Sequence, residues 1–171
     1  MVMAYTLLSL EVNDRDFYLF DTFNGMTEPT EIDRDPSGQS AKHQLNISEK
    51  KEGNNIWCIA SIEDVQKNFS SVGYPSRLVH YVKGDVEETL DIPENLPDQI
   101  ALLRLDTDWY ASTKKELDIL FPRLVKGGVC LIDDYGHWEG ARRAVDEYLM
   151  VNEIFPLMHV TDYTGRVFVK I

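Results

Sequence analysis

Two apolar runs, Ile100–Leu105 and Gly128–Ile132, are short, dense in branched residues and stop abruptly at acidic side chains. Runs of this kind read as buried strands. Between them, Leu117, Leu120, Phe121 and Leu124 recur at helical spacing behind a Thr113–Glu116 capping box. That pattern predicts an amphipathic helix, stopped by Gly127 and Gly128. A second helix is predicted over Glu139–Met150, with Ala141, Ala144, Val145 and Tyr148 on its inner face. Phe155–Val160 and Arg166–Lys170 read as strands joined by a turn short enough for an antiparallel hairpin. Upstream, Met3–Val12 reads as the end of a helix, and Phe17–Phe20 as a short strand ending at Asp21. Ser61 and Asp64 cap a helix reaching about Ser71, Leu78–Val82 is a strand, and Val86–Leu90 is a turn or short helix. From Thr22 to Asn55 periodicity fades and Gly, Pro and charged residues take over, which predicts a lid or flexible insertion, with Ala41–Lys51 partly helical. The alternation gives one α/β domain over residues 1–171, with a mostly parallel sheet, helices on both faces and a C-terminal antiparallel hairpin.

Composition narrows the partners. The chain has 171 residues, is 43% hydrophobic and carries a formal net charge of −12. That charge argues against nucleic acid or an anionic membrane and favours a cation or an uncharged small molecule. No apolar run approaches the length of a membrane span, and Met1–Leu10 lacks the features of a signal peptide. Cys58 and Cys130 stand alone among apolar neighbours, so both are expected as buried, reduced thiols, which favours a reducing cytoplasm.

The candidate chemistry sits at the strand ends. Asp106 and Asp108 close the first long run, and Asp133 and Asp134 close the second. Ligands of open parallel α/β sheets bind beyond the carboxyl ends of the strands. About one β-α-β unit separates the two clusters, which places their strands side by side or nearly so. Carboxylates gathered there repel without a cation and suit a hard divalent one, Mg²⁺ above all. Asp108 either serves as a general base beside the metal or caps the helix that begins near Ser112. Asp21 ends an earlier strand, where an acidic residue holds ribose hydroxyls of a nucleoside cofactor or caps the turn with Asn24 and Gly25. The Lys83, Gly84 and Asp85 turn at the next strand end is a second candidate of that kind. Tyr135, His137 and Trp138 follow the acidic pair and are candidates to line its pocket.

Phe20-Asp-Thr-Phe-Asn-Gly25, Leu105-Asp-Thr-Asp-Trp-Tyr-Ala-Ser-Thr113 and Gly127-Gly-Val-Cys-Leu-Ile-Asp-Asp-Tyr-Gly136 resemble the macrocin O-methyltransferase family. So do Gly140-Ala-Arg-Arg-Ala-Val-Asp-Glu-Tyr148 and Asp162-Tyr-Thr-Gly-Arg166. The resemblance implies a Rossmann-like class I methyltransferase fold. It also implies S-adenosylmethionine and Mg²⁺ as cofactors, and a hydroxyl of a sugar-bearing or other small natural product as acceptor. It makes Asp106, Asp133 and Asp134 the metal ligands, Asp108 the catalytic base and Asp21 the position that holds the cofactor ribose, with Gly84 and Asp85 of the next strand-end turn as the other cofactor-binding candidates. The first strand and Gly-rich loop of that fold are absent from these residues, so the chain reads as N-terminally truncated. The sheet is expected either to be split two strands from four or to close by pairing the flanking strands. Two rivals remain on sequence alone: a remnant of the fold without catalysis, and a metal-dependent glycosyltransferase or phosphatase using Asp106 and Asp108. Self-association into a homo-oligomer is left open.

Overall fold

The computed structural model describes residues 1–53 and 55–171. In chain order the elements are α1 (Val2–Ser9), β1 (Phe17–Asp21), α2 (Ala41–Ile47), α3 (Ile62–Ser70), β2 (Val79–Lys83) and α4 (Val86–Thr89). They continue with β3 (Ile100–Leu105), α5 (Tyr110–Leu120), β4 (Leu124–Ile132), α6 (Glu139–Val151), β5 (His159–Val160) and β6 (Arg166–Val169). The strands form two sheets, a parallel β1-β2 pair and a four-stranded sheet in the order β3-β4-β6-β5. β3 and β4 are parallel, while β6 runs antiparallel to both β4 and β5. The flanking strands β1 and β3 have not paired to close the gap, so the split form is the one adopted.

Each sheet has its own apolar support. Ala4, Phe69, Val72, Tyr74 and Leu78 are buried together, with Phe17 and Leu19 of β1 packed against them. The four-stranded sheet rests through Leu103, Leu105, Cys130, Ile132 and Phe168 on Leu117, Leu120, Val145 and Tyr148 of α5 and α6. Phe20 of β1 packs against this second core and links the two halves. None of the helices among the described residues is long and apolar enough to cross a membrane.

Several predicted boundaries move, each for a physical reason. The helix predicted from Thr113 begins at Tyr110, which places Thr113 and Glu116 inside α5 as buried residues. It ends at Leu120 rather than at the glycine pair, because Pro122 enters a 3-10 turn over Phe121–Arg123. Gly127 and Gly128 therefore lie within β4, where Gly127 adopts φ +82°, a backbone state that glycine supplies without strain. The Phe155–Val160 strand shrinks to its last two residues, with Phe155 and Leu157 each 79% exposed. By contrast, Ser61 caps α3 as expected: its hydroxyl accepts from the Asp64 amide at 3.2 Å and donates to the Asp64 carboxylate at 2.8 Å. Ser61→Ala is expected to destabilise the protein by about 1 kcal/mol in denaturant unfolding, with no change in slope.

The segment from Thr22 to Asn55 is tied down at several points, although Asn54 lies outside the described residues. It contains α2 and a bridge between Arg34 and Ser40. Ala41 and Leu45 of α2 are buried with Trp109, Trp138 and Ala141.

Candidate active site

β3 and β4 end level with each other. Leu105 lies opposite Ile132, and the Asp133 amide donates to the Leu105 carbonyl at 2.9 Å. The next residues of both strands therefore emerge at one place. Asp106, Asp108 and Asp134 each bring a carboxylate oxygen within 4.8 Å of the others. Asp133 lies outside that trio but beside Asp106, and one guanidinium meets both: Arg104 Nη2 is 3.1 Å from Asp133 Oδ2, while Arg104 Nη1 is 3.1 Å from Asp106 Oδ2. Arg104 and Asp106 stand two apart on the chain, the spacing that shares a strand face, so one guanidinium spans both strand ends.

The crowding sets the electrostatics. Burial, then the Asp134 charge, pushes Asp108 up to about 9. Burial, then the hydrogen bond with Asp133, pushes Asp106 up to about 7. Asp134 is also raised, by burial and by the Asp133 charge. Burial opposes ionisation of Asp133 too, but its bond with Asp106 and the Arg104 guanidinium outweigh that and hold it low. Three oxygens that resist ionising together, this close, form a donor set that suits a hard divalent cation.

The turn carrying Asp108 is unusual. The Trp109 amide donates to the Thr107 carbonyl at 2.8 Å, enclosing Asp108 at φ +68°. This is a γ-turn of the rare, strained sense, which persists only where its surroundings over-determine it. The Ser112 hydroxyl donates to the Thr107 carbonyl at 3.3 Å, and Thr107 Oγ1 donates to Glu116 at 2.9 Å. Glu116 is buried beneath the turn, and that burial pushes its carboxyl up to about 8. Asp108 does not cap α5. The Tyr110 amide donates instead to Asp33 Oδ1 at 2.8 Å.

Asp21, Gly84 and Asp85 come together at the ends of β1 and β2, where the Gly84 amide donates to the Asp21 carbonyl at 2.9 Å. Asp21 is exposed, and one of its oxygens accepts from the Phe23 amide at 2.7 Å. Asp85 caps α4 by accepting from the Glu87 amide at 2.9 Å. Gly84 has φ +143°, and a Cβ there would press on the Thr89 methyl, so glycine is required. Cys130 is buried as expected but Cys58 is exposed, which corrects the sequence reading. Apolar neighbours suggested burial, yet Cys58 sits at φ +48° in a turn at the end of the long segment. The residue is exposed, yet its sulfur is partly desolvated, which raises the thiol pKa, and after that the charges of Asp108, Asp134, Asp106 and Asp21 raise it further. His137 Nδ1 lies 3.3 Å from the Tyr163 hydroxyl, and Trp138 packs edge-on against Trp109 at 5.0 Å.

Sequence reasoning missed Arg104, Asp33 and Glu116. Arg104 had a signal, being a cation inside an apolar strand run. Glu116 was visible only as half of a mistaken capping box, and Asp33 carried no local signal at all.

Residues 1–170 match the family model described as Macrocin-O-methyltransferase (TylF). The chain is 32% identical over 142 residues to the mycinamicin III 3''-O-methyltransferase of Micromonospora griseorubida, covering 83% of this chain and 52% of that protein. It is 28% identical over 148 residues to the demethyldecarbamoylnovobiocin O-methyltransferase of Streptomyces niveus, covering 86% of this chain and 52% of that protein. The chain thus spans about half the length of these relatives. Among solved structures, the O-methyltransferase NovP superposes with a TM-score of 0.79 at 26% identity, covering 99% of this chain and 65% of that one. The calicheamicin methyltransferase CalS11 superposes with a TM-score of 0.68 at 19% identity, covering 98% of this chain and 65% of that one, a likeness of fold.

Proposed function

The chain belongs to the macrocin O-methyltransferase family, and from that premise we propose that it carries the metal site of an O-methyltransferase dependent on S-adenosylmethionine and Mg²⁺. The acceptor is a hydroxyl of a sugar-bearing or similar small natural product. The observation that carries this reading is the meeting of Asp106, Asp108 and Asp134 at the ends of two parallel strands. Asp106 and Asp134 would hold Mg²⁺, with Asp133 the expected third ligand, turned here toward Arg104. Asp21, exposed at the end of β1, and the adjoining Gly84–Asp85 turn would face the nucleoside of the methyl donor. Bound there, the metal supplies Lewis acidity toward an acceptor hydroxyl, and S-adenosylmethionine supplies the methyl group. Asp108 resists ionising on its own, and with the cation bound beside it would be ionised and would take the hydroxyl proton on its carboxylate, which lies against the same oxygens. The rigid turn around it supplies orientation, a large part of the acceleration in such reactions.

The test is methyl transfer from labelled S-adenosylmethionine to glycosylated natural products. Turnover is expected with Mg²⁺, loss of it with a chelator, and recovery when Mg²⁺ is restored. Turnover that persists through chelation would rule out the metal's role.

A further inference from the structure

Asp33 is fully buried and comes from the long segment between β1 and α3, far in sequence from both acidic clusters. Its Oδ2 accepts from the Thr30 amide at 2.6 Å and from the Thr30 hydroxyl at 2.7 Å. Its Oδ1 accepts from the Tyr110 amide at 2.8 Å, at the start of α5 and two residues beyond Asp108. Glycine at 140 makes this approach possible, since a Cβ there would overlap the Asp33 carboxylate. Two further bonds tie the same segment to α5 and α6, and a third closes it on itself. Trp109 Nε1 donates to the Thr27 carbonyl at 3.1 Å. The Glu139 amide, opening α6, donates to the Arg34 carbonyl at 2.9 Å, and the Ala41 amide donates to the Asp33 carbonyl at 2.8 Å.

Two of these contacts, to Trp109 and Tyr110, fall on the residues that follow the strained turn. A γ-turn of this sense at a non-glycine residue relaxes unless both its ends are held. Thr107 is held from within α5, by Ser112 and Glu116. Trp109 and Tyr110 are held from outside, by Thr27 and Asp33. A carboxylate at a helix N-terminus also satisfies an otherwise unpaired amide and meets the favourable end of the helix dipole.

We propose that Asp33 is a positioning residue for Asp108: by capping α5 across the chain, it holds the turn that aims Asp108 at Asp106 and Asp134. The stretch from Thr27 to Ala41 is on this view a fixed clamp. The inference deepens the methyltransferase reading and rests on it for its kinetic consequence.

Asp33→Ala removes both sets of bonds. Asp33→Asn keeps an oxygen for the Tyr110 amide but cannot accept from Thr30 with both of its terminal atoms. Tyr74→Phe, which loses only the bonds between Tyr74 and Arg15 in the other core, serves as a stability control. Asp33→Ala is expected to lower kcat by about tenfold or more, while the Kd for S-adenosylmethionine stays within about threefold. Asp33→Asn is expected to recover most of that loss, and Tyr74→Phe to keep its kcat whatever its change in Tm. Wild-type kcat in Asp33→Ala, or no recovery in Asp33→Asn, would overturn the proposal. Amide hydrogen exchange at Trp109 and Tyr110 reads the clamp without catalysis and should accelerate by about tenfold in Asp33→Ala. If the wild-type protein transfers no methyl group, the methyltransferase reading fails on its own. Unchanged exchange at those two amides would still overturn the clamp, and faster exchange would support it.

Discussion

Asp108→Asn is expected to lower kcat for methyl transfer by about 10²–10⁴, the range for loss of a positioned general base, while Mg²⁺ still binds through Asp106 and Asp134. Asp134→Asn should remove Mg²⁺ binding and turnover together. Both carboxylates belong to the group whose oxygens approach within 4.8 Å, so position alone does not separate their roles. The split between kcat and metal affinity does. Asparagine keeps the shape of either side chain, so a loss in Asp108→Asn reports the missing proton acceptor rather than a cavity. Asp133→Asn provides the contrast. Its carboxylate is held by Arg104, so removing its charge leaves the guanidinium facing Asp106 alone. A loss of Mg²⁺ affinity in Asp133→Asn as large as in Asp134→Asn would mean that Asp133 turns from Arg104 to the metal. Calorimetric titration with Mg²⁺, beside steady-state kinetics, reads all three variants.

What could be read from the sequence follows a physical line between local and distant causes. The acidic strand ends were legible because β3 and β4 run apolar up to Asp106 and Asp133, but β3 is not the buried strand expected: it forms the edge of its sheet, and Ala101, Leu102 and Arg104 are exposed. The Ser61 cap was legible because both partners lie within one helical turn. The start of α5 was not, because its cap is Asp33, whose place in the sequence gives no hint of Tyr110. Thr113 and Glu116 looked like a local capping box, yet Glu116 turns inward to accept from Thr107. The glycine pair resembles a helix stop, whereas Pro122 and a 3-10 turn end the helix before it. The family resemblance, carried by motifs spread along the chain, is matched by a family model over residues 1–170. The split sheet was not legible, since a closed one fitted the same pattern; only the structure shows that each half has its own core. Arg104 shows the remaining limit. The sequence displays a cation in the strand, but only the register of β3 and β4 reveals that it reaches both Asp106 and Asp133.

Mg²⁺ affinity is expected to rise steeply with pH, by roughly tenfold per unit for each proton that binding displaces, between about pH 6 and about pH 8. The cause is that Asp106 and Asp108 resist ionising in the cation-free protein. Asp106 is pushed up to about 7 and Asp108 up to about 9, burial being the first cause in each case. Below these values a cation must displace protons, and as pH rises it displaces fewer. Stability without the cation should move the opposite way. Both groups bind protons more tightly folded than unfolded, so they contribute stability that is complete below the unfolded carboxylate values. That contribution is lost as pH rises through about 7 for Asp106 and about 9 for Asp108. Asp133, held low by its bond with Asp106 and by Arg104 despite its burial, opposes this trend only in acid, losing its contribution as pH falls. Added Mg²⁺ should therefore raise Tm more at about pH 8 than at about pH 6, because it binds the folded state and relieves the repulsion that builds there. Thermal unfolding with and without Mg²⁺ across that range checks the sign. A shift that shrinks as pH rises would mean that the acidic tips do not share one ion.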